Sequence, residues 1–234
     1  MTISSFHLNR RTLLKAGAVA AGSVALGSSG VRAQASSLAV GTASISLQYA
    51  PLYAAKKNGY FDEQGLNVEI INTQSGPRTR QGLAAGQLLV AMTSVGDCVA
   101  LTIAGKPSTI ITGIDHRMAW ANVLVRKEDV DSGTIASLKD LSGRTIAVTQ
   151  PKSAAWSTMV HIAAKANLAA EPQFQSLGDL SAMLAALRSK RVDATIATAE
   201  MVNQAIDAGW GVPIFSGQDD SAWKEVLGGD IPGV

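Results

Sequence analysis

From Leu38 onward one pattern recurs, a short run of β-branched and apolar residues followed by an alanine-rich stretch of helical periodicity, and this alternation restricts the chain to an α/β architecture. The runs predict strands at 38–42, 67–72, 89–92, 109–113, 122–126, 145–149, 173–176, 194–197 and 212–215. The intervening stretches predict helices at 50–57, 78–85, 99–104, 156–166, 180–190 and 201–208. Gly59, Gly86 and Gly209 each follow a helical stretch, where a left-handed cap residue costs least. Ser75-Gly76-Pro77 puts a capping hydroxyl and then a proline at the start of another. Leu180, Met183, Leu184 and Leu187 recur at spacings of three and four, the mark of a core-facing helix side.

Composition narrows the function classes. With 47% hydrophobic and 16% charged residues, the 234-residue chain is a folding sequence rather than a disordered one. Its formal charge of +2 comes from the first 35 residues, which hold Arg10, Arg11, Lys15 and Arg32 and no acid; without those four the balance is −2. A basic nucleic-acid surface is therefore not expected. The single cysteine, Cys98, excludes an internal disulfide and a multi-cysteine zinc site, and it reads as a small packing residue at a helix start. His7, His116 and His161 have no metal-ligand spacing, so neither a metal nor a cofactor is expected and no catalytic constellation assembles.

Residues 1–35 have the three parts of an export signal: a polar, basic start, a run of Ala, Gly and Val from 16 to 27, and the A-x-A of Ala33 and Ala35. The apolar run is about a dozen residues, short of the roughly 20 that span a bilayer. Cleavage after Ala35 would leave a soluble protein in the bacterial periplasm. Asn9-Arg10-Arg11-Thr12-Leu13-Leu14-Lys15 resembles a twin-arginine signal, which implies the twin-arginine translocase as an export partner; the general secretory route remains the alternative.

Candidate binding groups gather at strand ends that lead at once into helices. A helix N-terminus presents unpaired N–H groups and the positive end of the helix dipole, so it holds an anion without needing a cation. Four such junctions occur: Thr73-Gln74-Ser75-Gly76, Thr93-Ser94-Val95-Gly96-Asp97, Gln150 to Ser157, and Thr198-Ala199-Glu200. In open α/β sheets such ends line one cleft. The expected ligand-binding residues are Gln48, Tyr49, Ser75, Gly76, Ser94, Val95, Ser153, Ala154 and Trp156, with His116 and Arg117 in a loop and Glu200 meeting a ligand amine. Arg78 and Arg80, in the first turn of a helix, read as exposed side chains.

The order of these segments resembles the solute-binding proteins of ABC importers for nitrate, aliphatic sulfonates and taurine. The resemblance is carried by Tyr49-Ala50-Pro51-Leu52-Tyr53-Ala54-Ala55-Lys56-Lys57-Asn58-Gly59-Tyr60-Phe61, by Gly65-Leu66-Asn67-Val68-Glu69 and Leu83-Ala84-Ala85-Gly86-Gln87, by Leu138 to Val148, and by Ala186 to Ala194. Three departures fall near the pocket. Leu88-Leu89 stands where the family has an acid, Pro151-Lys152-Ser153 replaces Gly-Ser, and Glu200-Met201 replaces Glu-Pro.

The resemblance implies a two-lobed, type II periplasmic-binding-protein-like fold, with residues 36–121 as lobe one, 122–216 as lobe two and 217–234 starting a return to lobe one. The segments 122–126 and 212–216 would be the crossings, and lobe one would be incomplete at the C-terminus, leaving apolar surface exposed. The implied role is capture of a small anionic or zwitterionic solute for an ABC permease of the inner membrane, without catalysis. Two other roles stay open on the same fold: an enzyme resembling thiamine-pyrimidine synthases or menaquinone-pathway dehydratases, and a sensory binding protein.

Overall fold

The computed structural model describes residues 37–115 and 118–227; the export-signal segment, His116 and Arg117, and residues 228–234 lie outside the described residues. Two sheets organise the chain. The first contains β1 (Ser37–Thr42), β2 (Asn67–Asn72) and β3 (Val90–Met92), all parallel, in the order β2-β1-β3. A 3-10 turn, Leu47–Tyr49, and helices α1 (Ala50–Lys57), α2 (Tyr60–Glu63), α3 (Gly76–Ala84) and α4 (Val95–Ile103) accompany it. Its core is small, centred on Val40, Leu52 and Val68.

The second sheet holds β4 (Asn122–Arg126), β5 (Thr145–Val148), β6 (Gln173–Ser176), β7 (Ala194–Ala197) and β8 (Gly211–Ser216), in the order β6-β5-β7-β4-β8. Its helices are α5 (Lys127–Asp131), α6 (Ala154–Lys165), α7 (Leu180–Arg188), α8 (Ala199–Asp207) and α9 (Asp220–Leu227). Strands β5, β6 and β7 run parallel, whereas β4 is antiparallel to both its neighbours. Each sheet with its helices is termed a lobe below.

Local chemistry accounts for these elements. Strands β4 and β7 are buried at every position and read as nearly continuous apolar runs, the pattern of strands covered on both faces. Pro213, which has no N–H for a ladder, sits on the edge strand β8 beside a bulge where the register with β4 skips Ile214. Gly86 and Gly209 end helical stretches at φ of 70° and 74°, the left-handed cap conformation their positions call for.

The chain crosses between lobes at a tight junction. Gly217 donates its N–H to the Ala121 carbonyl at 2.8 Å, and a Cβ there would stand 2.6 Å from the Met118 carbonyl oxygen. Only glycine lets the two backbones approach this closely.

The structure departs from the sequence reading at several elements. Residues 109–113 form no strand: Ile110 and Ile111 are exposed, because β-branched composition makes a strand only where a partner supplies the ladder. Helix α4 starts at Val95 rather than 99 and α6 at Ala154 rather than 156, with Ser94 and Ser153 in the positions just before them and only Ser153 making a side-chain cap. The short helices α2 and α5 were not expected. Helix α9 packs on α6 and β8, with Trp223 fully buried in the second core. On the first lobe Leu89, Val99, Ile103 and Ile111 are all more than half exposed.

A buried cation ties the second lobe together. The Arg126 guanidinium, at the end of β4, donates through Nη1 to the carbonyls of Leu187 and Val192, and its Nη2 lies 2.7 Å from Asp129. Leu187 is in the last turn of α7, where carbonyls lack intrahelical partners and a cation is favoured. Replacing Arg126 by Ala strands these acceptors in the core and should destabilise the protein by about 3 kcal/mol, read as a fall in the urea midpoint. An unchanged midpoint would show that water reaches the carbonyls.

Candidate functional site

The carboxyl ends of β1, β3, β5 and β7 feed helices or turns that face one another across a cavity of about 410 Å³. Gln48, Tyr49, Ser75, Gly76, Ser94 and Val95 line it from the first lobe, and Ser153 and Ala154 from the second. Eight of the twelve expected residues are thereby brought together. His116 and Arg117 fall outside the described residues, and Trp156 and Glu200 are not in the wall.

Helical geometry accounts for Trp156. Ala154, Ser157, Thr158 and His161 of α6 line the cavity, and at about 100° per residue Trp156 falls roughly opposite that face. Its ring instead meets Phe174 edge-on, with centroids 6.1 Å apart. The aromatic surface comes from Tyr49 and from Trp120, which stands just before the crossing into β4; Met118, Ile114 and Leu180 add apolar wall. Nothing in the local pattern marks Trp120, because its place depends on how the crossing packs.

The four anion-binding junctions prove unequal. Helix α3 is capped by Ser75, whose Oγ accepts from the Arg78 N–H at 3.4 Å, and α6 by Ser153, whose Oγ accepts from the Trp156 N–H at 3.1 Å. Neither helix has an acid in its own first turn; the Asp97 carboxylate, neutralised by Arg80, stands beside Gly76 at the start of α3, and Lys152 lines the cavity beside the start of α6. Each capping hydroxyl retains its own proton to donate. These two N-termini come from different lobes.

Helices α4 and α8, by contrast, carry their own carboxylates. Asp97, in the first turn of α4, is almost wholly buried and accepts from Arg80 Nη1 at 2.7 Å, from Ser94 Oγ at 2.9 Å and from Thr93 Oγ1. Arg80 is therefore an internal counter-ion rather than the exposed side chain expected. The α4 dipole is answered by the chain itself, and Ser94 spends its proton on Asp97 instead of a ligand.

Glu200, in the first turn of α8, points at the other lobe rather than into the cavity. Its Oε1 accepts from Leu47 N–H at 2.7 Å and from Ser46 Oγ at 3.0 Å. Burial, the largest single influence, pushes this carboxyl up. The bonds from Leu47, its own N–H, Thr198 and Ser46 together outweigh burial and hold it below the usual carboxylate range.

Tyr49 is 5% exposed, and burial pushes its hydroxyl from 10.0 up to about 12 against hydrogen bonds with the Ala43 backbone and the Gln48 side chain. The cavity wall thus presents a neutral phenol. An unfolded tyrosine ionises near 10, so stability is intact below that pH and falls by roughly 2–3 kcal/mol as pH rises through 12. Subtracting the phenolate absorbance of Tyr49→Phe from that of the wild type, in a stopped-flow pH jump that outruns unfolding, should leave one step near pH 12. A step near 10 would place the hydroxyl in solvent.

Comparisons with known proteins agree on the fold. A protein from Bordetella bronchiseptica RB50 superposes with a TM-score of 0.63 at 24% identity, covering 84% of this chain and 61% of that one. The periplasmic aliphatic sulphonate binding protein SsuA from Escherichia coli gives 0.57 at 17% identity, over 79% of this chain and 61% of its own. The periplasmic nitrate-binding protein NrtA from Synechocystis PCC 6803 gives 0.60 at 16%, over 78% and 52%. The chain thus has the periplasmic-binding-protein fold while spanning less than two thirds of these proteins' lengths. YtlA of Bacillus subtilis (strain 168), provisionally described as a binding protein, is 29% identical over 86 residues, 37% of this chain and 26% of that protein. Residues 46–216, from the turn that opens the cleft to the last strand of the second sheet, match the model of one family, and the chain belongs to that family, described as NMT1/THI5 like.

Proposed function

We propose that this protein is the periplasmic solute-binding component of an ABC importer, capturing a small organic anion or zwitterion between its two lobes and passing it to a membrane permease. One observation carries the reading: two helix N-termini without acids, those of α3 and α6, face one cavity from opposite lobes, with serine hydroxyls at each and Lys152 beside one. An anion held by both favours closure, because each lobe contributes half of its partners.

The sulfonate class suits the site best. Three terminal oxygens can take N–H and O–H donors from both helices, and the apolar wall of Tyr49, Trp120, Met118 and Leu180 can receive an organic tail. Nitrate would leave most of a cavity of about 410 Å³ unfilled. The name of SsuA, an aliphatic sulphonate binding protein, supports the same ligand class. Glu200 spends its Oε1 on Ser46 and Leu47 rather than on a ligand amine. Residues 1–35 supply the export signal in this reading, with the twin-arginine translocase as the route and Ala35 as the cleavage point. Capture without turnover fits a site whose donors are backbone N–H groups and capping hydroxyls and whose buried acid is tied to Arg80.

Thermal-shift titration of the purified protein with methanesulfonate, longer alkanesulfonates, taurine and nitrate tests this. A ligand at about 100 times its dissociation constant adds roughly 2.7 kcal/mol of stability, a shift of several degrees. Lys152, at φ 63°, tolerates asparagine in its left-handed conformation, and Lys152→Asn should weaken sulfonate binding about fivefold without lowering the melting temperature of the ligand-free protein. No shift with any of these anions, or chemical turnover of one of them, would overturn the reading.

A further inference from the structure

We propose that Glu200 is a clasp between the two lobes: its Oε1 caps the 3-10 turn Leu47–Tyr49 from across the cleft, holding the cleft closed and setting Gln48 and Tyr49 in its wall. The first residues of any helical turn have N–H groups with no partner inside the turn. Here the residue before the turn, Ser46, makes no cap of its own. Its hydroxyl instead donates to Glu200 at 3.0 Å, and the Leu47 N–H donates to the same oxygen at 2.7 Å. The order of a first-lobe turn is thereby supplied by a second-lobe side chain.

The clasp is well placed to act on the pocket. Ser46 is nearly buried, and the turn it opens presents Gln48 and Tyr49 to the cavity. Opening the lobes would take the Glu200 acceptor away from the Leu47 N–H, in the turn that places Tyr49 in the cavity wall. Glu200 lies at the second position of α8, so its charge also sits favourably on that helix's own N-terminus. Bonds to a charged, partly desolvated acceptor are stronger than neutral ones.

A second crossing contact, Arg78 to Asp179, is looser: 3.7 Å between side chains that are 44% and 24% exposed. Asp179 is already committed to capping α7 through the Ala182 N–H at 2.8 Å. That pair belongs to the weak class of surface ion pairs. Of these two pairs, Glu200 therefore makes the tighter crossing contact, whatever solute the cleft takes.

The test needs no ligand, so it stands or falls separately from the solute-binding reading. Spin labels at Lys57→Cys on α1 and Lys165→Cys on α6, in a Cys98→Ser background, report the distance between the lobes by pulsed electron resonance. The unmodified clasp should give a population dominated by the short distance, and Glu200→Ala should lower the ratio of short to long distances about tenfold. Ser46→Ala, which removes one bond from the opposite side, should shift it the same way to a smaller degree, and the double variant should go no further than Glu200→Ala alone. In Glu200→Ala the Tyr49 phenolate step should also move from about 12 toward 10, a change that general destabilisation of α8 would not produce. An unchanged distance distribution in Glu200→Ala, with Tyr49 still ionising near 12, would overturn the proposal. Additive effects of the two single variants would overturn it as well.

Discussion

The peptide N–H groups that open an α-helix cannot be satisfied within that helix, and the rest of this molecule is arranged around where they point. Strands β1, β2 and β3 run parallel in the first sheet, and β5 and β7 in the second, so the helices that follow them start on the same side of their sheets. Two such sides meet over one cavity. Folding thereby concentrates unpaired donors and positive dipole ends in the place where a ligand can answer them, at no cost in buried cations.

Acids then divide the work among those starts. Asp97 fills the N-terminus of α4 from within and is itself neutralised by Arg80, so that edge of the cavity is preorganised rather than available. Glu200 takes the dipole of α8 and spends an oxygen on the opposite lobe. Helices α3 and α6 have no such acid in their first turns. The same local device, a helix start, is answered differently in each case, depending on one residue in the first turn.

The two lobes differ in how they are held. The second has a continuous core that includes Trp223 and is tied by the Arg126 guanidinium across β4, α7 and the start of α5. The first rests on Val40, Leu52 and Val68 and leaves Leu89, Val99, Ile103 and Ile111 exposed beside its three strands. The crossing at Gly217 joins them through a close backbone approach that no larger residue allows.

Sequence by itself determined the alternation of strands and helices, the capping serine at 75, and the set of strand-to-helix junctions from which the cavity is built. These follow from local chemistry: hydrophobic period, β-branching and the hydrogen-bonding reach of a side chain one residue before a helix. Tertiary structure alone decided what those groups do. Residues 109–113 have strand composition but no ladder partner; Trp156 lies on the side of α6 that packs on Phe174, while Trp120 enters the wall from a segment with no local signal. Arg80 and Glu200 look like surface or ligand-facing charges until the residues that meet them, Asp97 at 17 positions' remove and Leu47 at 153, are brought alongside. A charged side chain's role depends on which distant group shares its space, and separation along the chain does not encode that.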